Sequence, residues 1–292
     1  MKNKIKLLIT GISGFLGNTF IHKKNNDFEI FGIYNNNIPI TLTHNNFKSN
    51  ITDKNKLEHI VTITKPDYII HLAAISNANI CEKQPLLSEQ VNIIGTKNIT
   101  DIAQKYSIKL LFTSTDLVFD GTNAPYNEQS NVSPISIYGT HKVMAEQIVS
   151  NYHNSTIFRL PLMFGKSYSN AKCFLQGMCE SLTTGKETKL FSDEYRTPVS
   201  AEKITNAILN LRDTQEKILH LGGDTRINRV ELGTTVANIL HLHSPNIKSV
   251  LRSDVSMPAK RPEDTSLQNT LAKQNNFDPG NLFHELHKTL IM

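Results

Sequence analysis

Tryptophan is absent from the 292 residues, cysteine occurs only three times, and neither basic nor long apolar runs are present. Each absence removes a class of function. Without an indole, no tryptophan ring can serve as a flat platform against a ligand. Cys81, Cys173 and Cys179 lack metal-ligand spacing, and their odd number argues against a disulfide framework, so each reads as a small core residue. The eleven histidines include no His-x-x-x-His or His-Glu-x-x-His pattern, so no metal is expected. No cluster of Lys and Arg interleaved with aromatics points to nucleic acid. The apolar part of Met1–Thr10 is too short for a secretory core. No segment approaches a membrane span, and a cytoplasmic location is the expectation.

What is present is an ordinary globular composition, 39% hydrophobic and 20% charged, on a chain long enough to bury a large core. Its formal charge of +5 is diffuse and suits an anionic ligand such as a nucleotide. Lys4–Thr10 reads as a short buried strand. Gly11-Ile12-Ser13-Gly14-Phe15-Leu16-Gly17 follows at once and leads into a helix through about Asn25. Glycines at that spacing permit a tight turn and let backbone N–H groups reach a pyrophosphate at the helix N-terminus.

Strand and helix patterns then alternate. Phe28–Tyr34, Asn46–Lys48, Tyr68–Leu72, Ile108–Thr113 and Ser155–Leu160 read as strands. Asp53–Ile63, Leu86–Tyr106 and Tyr138–Asn151 read as helices. The alternation implies an α/β fold with a doubly wound parallel sheet. In such sheets ligands bind beyond the carboxyl ends of the strands, where the glycine loop, Leu72-Ala73-Ala74, Ser114–Asp116 and Arg159–Gly165 all fall. Residues 1–165 are expected to form the dinucleotide-binding domain. Residues 166–292 are expected to form a smaller, discontinuous substrate-binding region, with helices at Lys172–Thr183, Arg229–His243 and Asn281–Ile291. A helix at Pro198–Leu211 and a strand at Ile218–Gly222 would return to the sheet.

Tyr138 and Lys142 lie four residues apart and so share one face of their helix. An adjacent ammonium favours a phenolate and would lower the tyrosine from its ordinary value near 10, allowing proton exchange with a carbonyl or alcohol oxygen. The hydroxyl of Thr115 would be a second donor to that oxygen. His141 falls on another helix face and is expected to be exposed.

These motifs together resemble the extended short-chain dehydrogenase/reductases, and most closely the dTDP-4-dehydrorhamnose reductase branch. The resemblance rests on Thr10–Gly17, His71–Ala74, Val91–Asn98, Ser114–Gly121, Tyr126–Glu128 with Pro134 and Tyr138, Phe158-Arg159, Phe164-Gly165, Asp193–Pro198 and Arg261-Pro262. It implies a Rossmann-type fold and an NAD(P)H-dependent reductase of a nucleotide-linked 4-keto-6-deoxy sugar. Thr115, Tyr138 and Lys142 would be the catalytic set, with Lys142 also holding the nicotinamide ribose. Cofactor contacts would come from Gly11, Ser13, Gly14, Phe15, Leu16, Gly17, Asn35, Asn50, Ile51, Leu72, Ala73 and Ala74, together with Tyr138 and Lys142. Asn92 would fix loop or helix geometry. Asp116 would touch the sugar or cap a turn. Arg196 and Arg261 would meet a substrate diphosphate or form structural salt bridges.

The chain also departs from that branch. Leu117 and Leu162 stand where the branch carries aromatic residues, and Ala78–Glu82 loses a charged pair. No carboxylate follows the second strand, at Tyr34-Asn35-Asn36-Asn37, to bind a ribose 2′-hydroxyl. NADP(H) is therefore favoured over NAD(H). A sugar-nucleotide epimerase or dehydratase is the alternative, although Thr115-Asp116-Leu117 lacks the glutamate a dehydratase needs. A further alternative is a non-catalytic, cofactor-binding subunit like the beta subunit of methionine adenosyltransferase. Extended members are often dimers, so a homodimer is expected by resemblance.

Overall fold

The computed structural model describes residues 4–22, 27–39, 41, 43, 45–168, 171 and 173–291. Seven parallel strands form its central sheet. In chain order the first half runs β1 (Ile5–Thr10), α1 (Phe15–His22), β2 (Phe28–Tyr34), β3 (Asn46–Lys48), α2 (Lys54–Thr64) and β4 (Tyr68–His71). It continues with α3 (Ala78–Lys83), α4 (Pro85–Glu89), α5 (Gly95–Lys105), β5 (Lys109–Thr115), α6 (Ile137–Ser150) and β6 (Ser155–Leu160). The expected extension of α1 to Asn25, and the start of a later helix at Lys172, lie outside the described residues.

From edge to edge the strands run Ile218–His220, β6, β5, β4, β1, β2, β3. The chain moves outward from β1 to β3 and then crosses back to β4, so the order reverses between β1 and β4. A crevice opens at such a switch point. Ile218–His220 does return to the sheet, pairing Ile218 with Ile157 and His220 with Arg159. Apolar side chains from alternate strand positions fill both faces. Leu7, Ile9, Leu111 and Phe158 pack with α1 and the Ala201–Asn210 helix, while Leu8, Ile69, Leu110 and Phe112 pack with α2, α5 and α6.

A separate cluster joins the helices Phe174–Thr183, Arg229–Ile239 and Leu282–Ile291 around Phe164, Leu175, Val236 and Leu286. Two elements differ from the sequence expectation in ways that shape the site. The single helix expected over Leu86–Tyr106 is interrupted by a π-helical turn at Gln90–Ile94. There the buried Asn92 side chain grips the Ile75 backbone, accepting from its N–H at 2.8 Å and donating to its carbonyl at 3.1 Å. β5 runs on past Thr113, with Ser114 opposite Arg159 and Thr115 opposite Leu160. Thr115 is therefore the last residue of a buried strand, which gives it a rigid support.

Candidate active site

One cleft of about 1280 Å³ lies across the carboxyl ends of the strands. All the expected cofactor contacts, from Gly11 through Ala74, line it together with Thr115, Tyr138 and Lys142. Its walls were read separately from the sequence, and the fold brings them together.

The glycine loop is shaped for a close approach. Gly11 sits at φ +70°, and a Cβ there would fall 2.8 Å from the Ala73 backbone nitrogen. At Gly17 a Cβ would lie 2.5 Å from the Gly11 carbonyl oxygen. Gly14 N–H donates to Gly11 O at 2.9 Å, closing the turn before α1. The neighbouring wall is braced from beneath. Thr10 Oγ1 accepts from both Leu72 N–H and Ala73 N–H at 3.2 Å and lies 2.7 Å from His71 Nδ1. Thr96 spends its hydroxyl proton on the Asn92 carbonyl, 2.7 Å away, and takes the His71 Nε2 proton at 3.1 Å. His71 Nδ1 is then the acceptor, and the imidazole is neutral. Burial, reinforced by the Lys142 charge, pushes His71 down to about 3. These features fit a dinucleotide, with the pyrophosphate at the start of α1. Tyr34, Asn35 and Asn36 line the cleft beside Asn50 and Ile51 at its far end.

The catalytic candidates occupy the middle. Ser136 caps α6, accepting from Gly139 N–H at 3.2 Å, and α6 presents Tyr138 and Lys142 to the cleft. Both are buried, at 7% and 3% exposure. The expected lowering of the phenol is reversed. Burial, then the neighbouring Asp116 and Cys81, drive Tyr138 well above the ordinary phenol value, with the Thr115 hydroxyl acting in the opposite direction. Lys142 does not offset this because its ammonium is held elsewhere. It donates to the Thr113 carbonyl at 2.7 Å and sits 3.9 Å from the Phe112 ring centroid. Burial pushes Lys142 down to about 7, opposed by Glu146. Ser114, also on the cleft wall, keeps a buried hydroxyl with no partner among the described residues.

The other end of the cleft is cationic. Arg196, Arg229 and Arg261 line it with Glu194 among them. Arg229 grips Glu194 through Nε at 3.0 Å and Nη2 at 2.9 Å. Burial works to raise Glu194, yet Arg229 and Arg196 hold its carboxyl below the usual range. Asp116 and Arg196, both at 4% exposure, reach the wall with their polar atoms already committed. Arg196 Nη1 donates to Tyr195 O at 2.6 Å, its Nη2 lies 3.3 Å from Glu194, and its Nε lies 3.4 Å from Asp116. Arg261 is freer, donating to Asn79 Oδ1 at 3.3 Å. Arg229 and Glu194 went unassigned in the sequence because their partnership spans 35 positions and leaves no local signature. His141 also differs from expectation. It is half-buried, with Nδ1 2.8 Å from Ser88 Oγ, because α4 folds against α6.

The family model described as the RmlD substrate binding domain matches residues 5–290. The chain belongs to this family. It is an extended short-chain dehydrogenase/reductase of the dTDP-4-dehydrorhamnose reductase-like branch. The structure of dTDP-4-dehydrorhamnose reductase from Bacillus anthracis, in complex with NADP, matches with a TM-score of 0.87 and 26% identity, covering 99% of both chains. Among curated relatives, methionine adenosyltransferase 2 subunit beta of Pongo abelii is 24% identical over 90% of this chain and 80% of that protein. The "Probable low-salt glycan biosynthesis reductase" of Haloferax volcanii is 25% identical over 89% of this chain and 88% of that protein.

Proposed function

We propose that this chain is an NADP(H)-dependent reductase of a nucleotide-linked 4-keto-6-deoxy sugar, delivering hydride to C4 with Tyr138 as proton donor. One observation carries the reading: the braced glycine loop, the buried Thr115–Tyr138–Lys142 set and an arginine-lined end share a single cleft. A reduced nicotinamide, when bound, supplies the hydride. The protein's own groups do the rest. Burial keeps the Tyr138 phenol protonated, the state required to give a proton to the oxygen on which charge develops. Lys142, lining the same cleft with its ammonium anchored on the Thr113 carbonyl, offers a donor for the ribose. Arg261, with Arg229 beside it, offers guanidinium forks to a diphosphate. Leu72, Ala73 and Ile75 wall the middle of the cleft with apolar surface, which strengthens each of these electrostatic contacts by excluding water. The experiment is loss of reduced-nicotinamide absorbance with a panel of nucleoside-diphosphate 4-keto sugars. Consumption with at least one member is expected. Tight cofactor binding without consumption across the panel would overturn the reading.

A second reading has its own support in the resemblance to methionine adenosyltransferase 2 subunit beta. Under it the same cleft binds a nicotinamide cofactor without turnover, and the chain serves as a subunit of a methionine adenosyltransferase. Stable co-purification with such an enzyme, together with an inert cofactor, would favour it over the first.

A further inference from the structure

Three guanidiniums line the cationic end of the cleft, and the chain holds them in very different ways. Arg196 is anchored several times over. It donates to the Tyr195 carbonyl at 2.6 Å and to the Pro262 carbonyl at 3.4 Å, and it faces Asp116 at 3.4 Å. Asp116 is itself fixed by Thr265 Oγ1, which donates to it at 2.8 Å. Arg261 rests on Asn79 Oδ1, which also accepts from Ala259 N–H at 3.2 Å. Arg229 has no comparable support. Among the described residues its guanidinium hydrogen-bonds only to Glu194, through Nε at 3.0 Å and Nη2 at 2.9 Å, both on Oε1. Those two bonds occupy one edge of the guanidinium and leave the other edge for an acceptor in the cleft that Arg229 lines.

The position is also unfavourable for a cation. Arg229 is the first residue of the Arg229–Ile239 helix, whose N-terminus Asn228 and Glu231 cap reciprocally. The positive end of the helix dipole disfavours a guanidinium there, and Arg196, sharing the Glu194 carboxylate at 3.3 Å, adds like charge. Glu194 offsets both effects. We propose that Glu194 is a positioning residue that fixes the Arg229 guanidinium so that its free edge meets the diphosphate of the substrate. The inference rests on the reading of that substrate as nucleotide-linked. It accounts for a buried carboxylate on the wall of an anion site, where its own charge opposes the ligand.

The test uses inorganic pyrophosphate as probe, followed by calorimetry on the full chain, and needs neither sugar nor turnover. Arg229→Met should abolish the binding, which assigns it to this end of the cleft; binding that survives in that variant would overturn the proposal. Glu194→Gln removes a negative charge, so charge alone would tighten an anion. Positioning predicts the opposite, a Kd raised roughly tenfold, the scale of one charge-assisted hydrogen bond. An unchanged or lower Kd in the folded variant would sink the idea. Glu194→Asp keeps the charge but withdraws the acceptor by one methylene; it should weaken pyrophosphate in the same sense, and it decides the matter if Glu194→Gln does not fold. In an Arg229→Lys background, which keeps the charge but not the fork, Glu194→Gln should weaken the probe far less, because the two residues act as one unit. A full loss there would mean that Glu194 works through another group. With a sugar nucleotide that is consumed, Glu194→Gln should raise KM and leave kcat within about twofold. If no sugar nucleotide turns over, the reductase reading fails, while the pyrophosphate series still decides the role of Glu194.

Discussion

Tyr138 and Lys142 share a helix face but work through different partners. The tyrosine lies in the cleft with Thr115 and Asp116, whereas the lysine leans on the Thr113 carbonyl and the Phe112 ring. Tyr138→Phe removes the proposed proton donor and keeps the ring, so turnover should fall by about 10²-fold or more, with cofactor affinity largely retained in a fluorescence titration. Lys142 predicts a pH effect whose direction follows from its burial. With its ammonium pushed down to about 7, the free protein loses this charge as pH rises through neutrality. A ribose that needs the charged donor must then restore the proton on binding, at a cost in affinity. NADPH should therefore bind more weakly as pH climbs above about 7, and Lys142→Met should bind weakly at every pH with a flattened profile. A steep profile retained in Lys142→Met would assign the titration to another group.

At the scale of elements, the glycine loop and the end of β4 act as one unit. Thr10 joins them by accepting two backbone N–H groups from the opposite wall. Thr10→Val removes that acceptor and strands two donors, at a cost of about 1–3 kcal/mol per buried unsatisfied group. A lower urea midpoint and weaker NADPH binding should appear together. Gly17→Ala tests the loop more directly, since its new Cβ would lie 2.5 Å from the Gly11 carbonyl oxygen. Cofactor affinity should fall by more than tenfold in calorimetry. Wild-type affinity in that variant would show that the loop yields without loss.

Across the whole molecule, stability carries an acid signature from two buried imidazoles. Burial pushes both His71 and His220 down to about 3, with Lys142 adding to the first and Arg159 to the second. The unfolded chain would protonate them near their ordinary 6.5. Below that pH the unfolded state binds more protons, so stability is full above about 6.5 and drains away as pH falls toward 3. Urea unfolding at a series of acid pH values should show this slope, and His220→Asn should reduce it. A slope unchanged in that variant would place the acid sensitivity elsewhere. The same scale contains the buried Arg159–Glu146 pair at 2.8 Å, which ties α6 to β6. Breaking one partner of such a pair costs about 3–5 kcal/mol.

Local chemistry alone determined much of this protein. Hydrophobic runs between turn residues marked β1, β2 and β6 to the residue or nearly so, and glycine spacing marked the loop, because those signals depend only on near neighbours. The four-residue step from Tyr138 to Lys142 likewise settled that both share a face. Only the tertiary structure decided what those side chains experience. The phenol rises because the folded chain buries it beside Asp116, and the ammonium turns to a carbonyl on β5. Arg196 is consumed by Asp116, Glu194 and the backbone of Tyr195 and Pro262. Burial and pairing are properties of distances across the fold, and partners as far apart as Asp116 and Thr265 leave no mark in the spacing of residues along the chain.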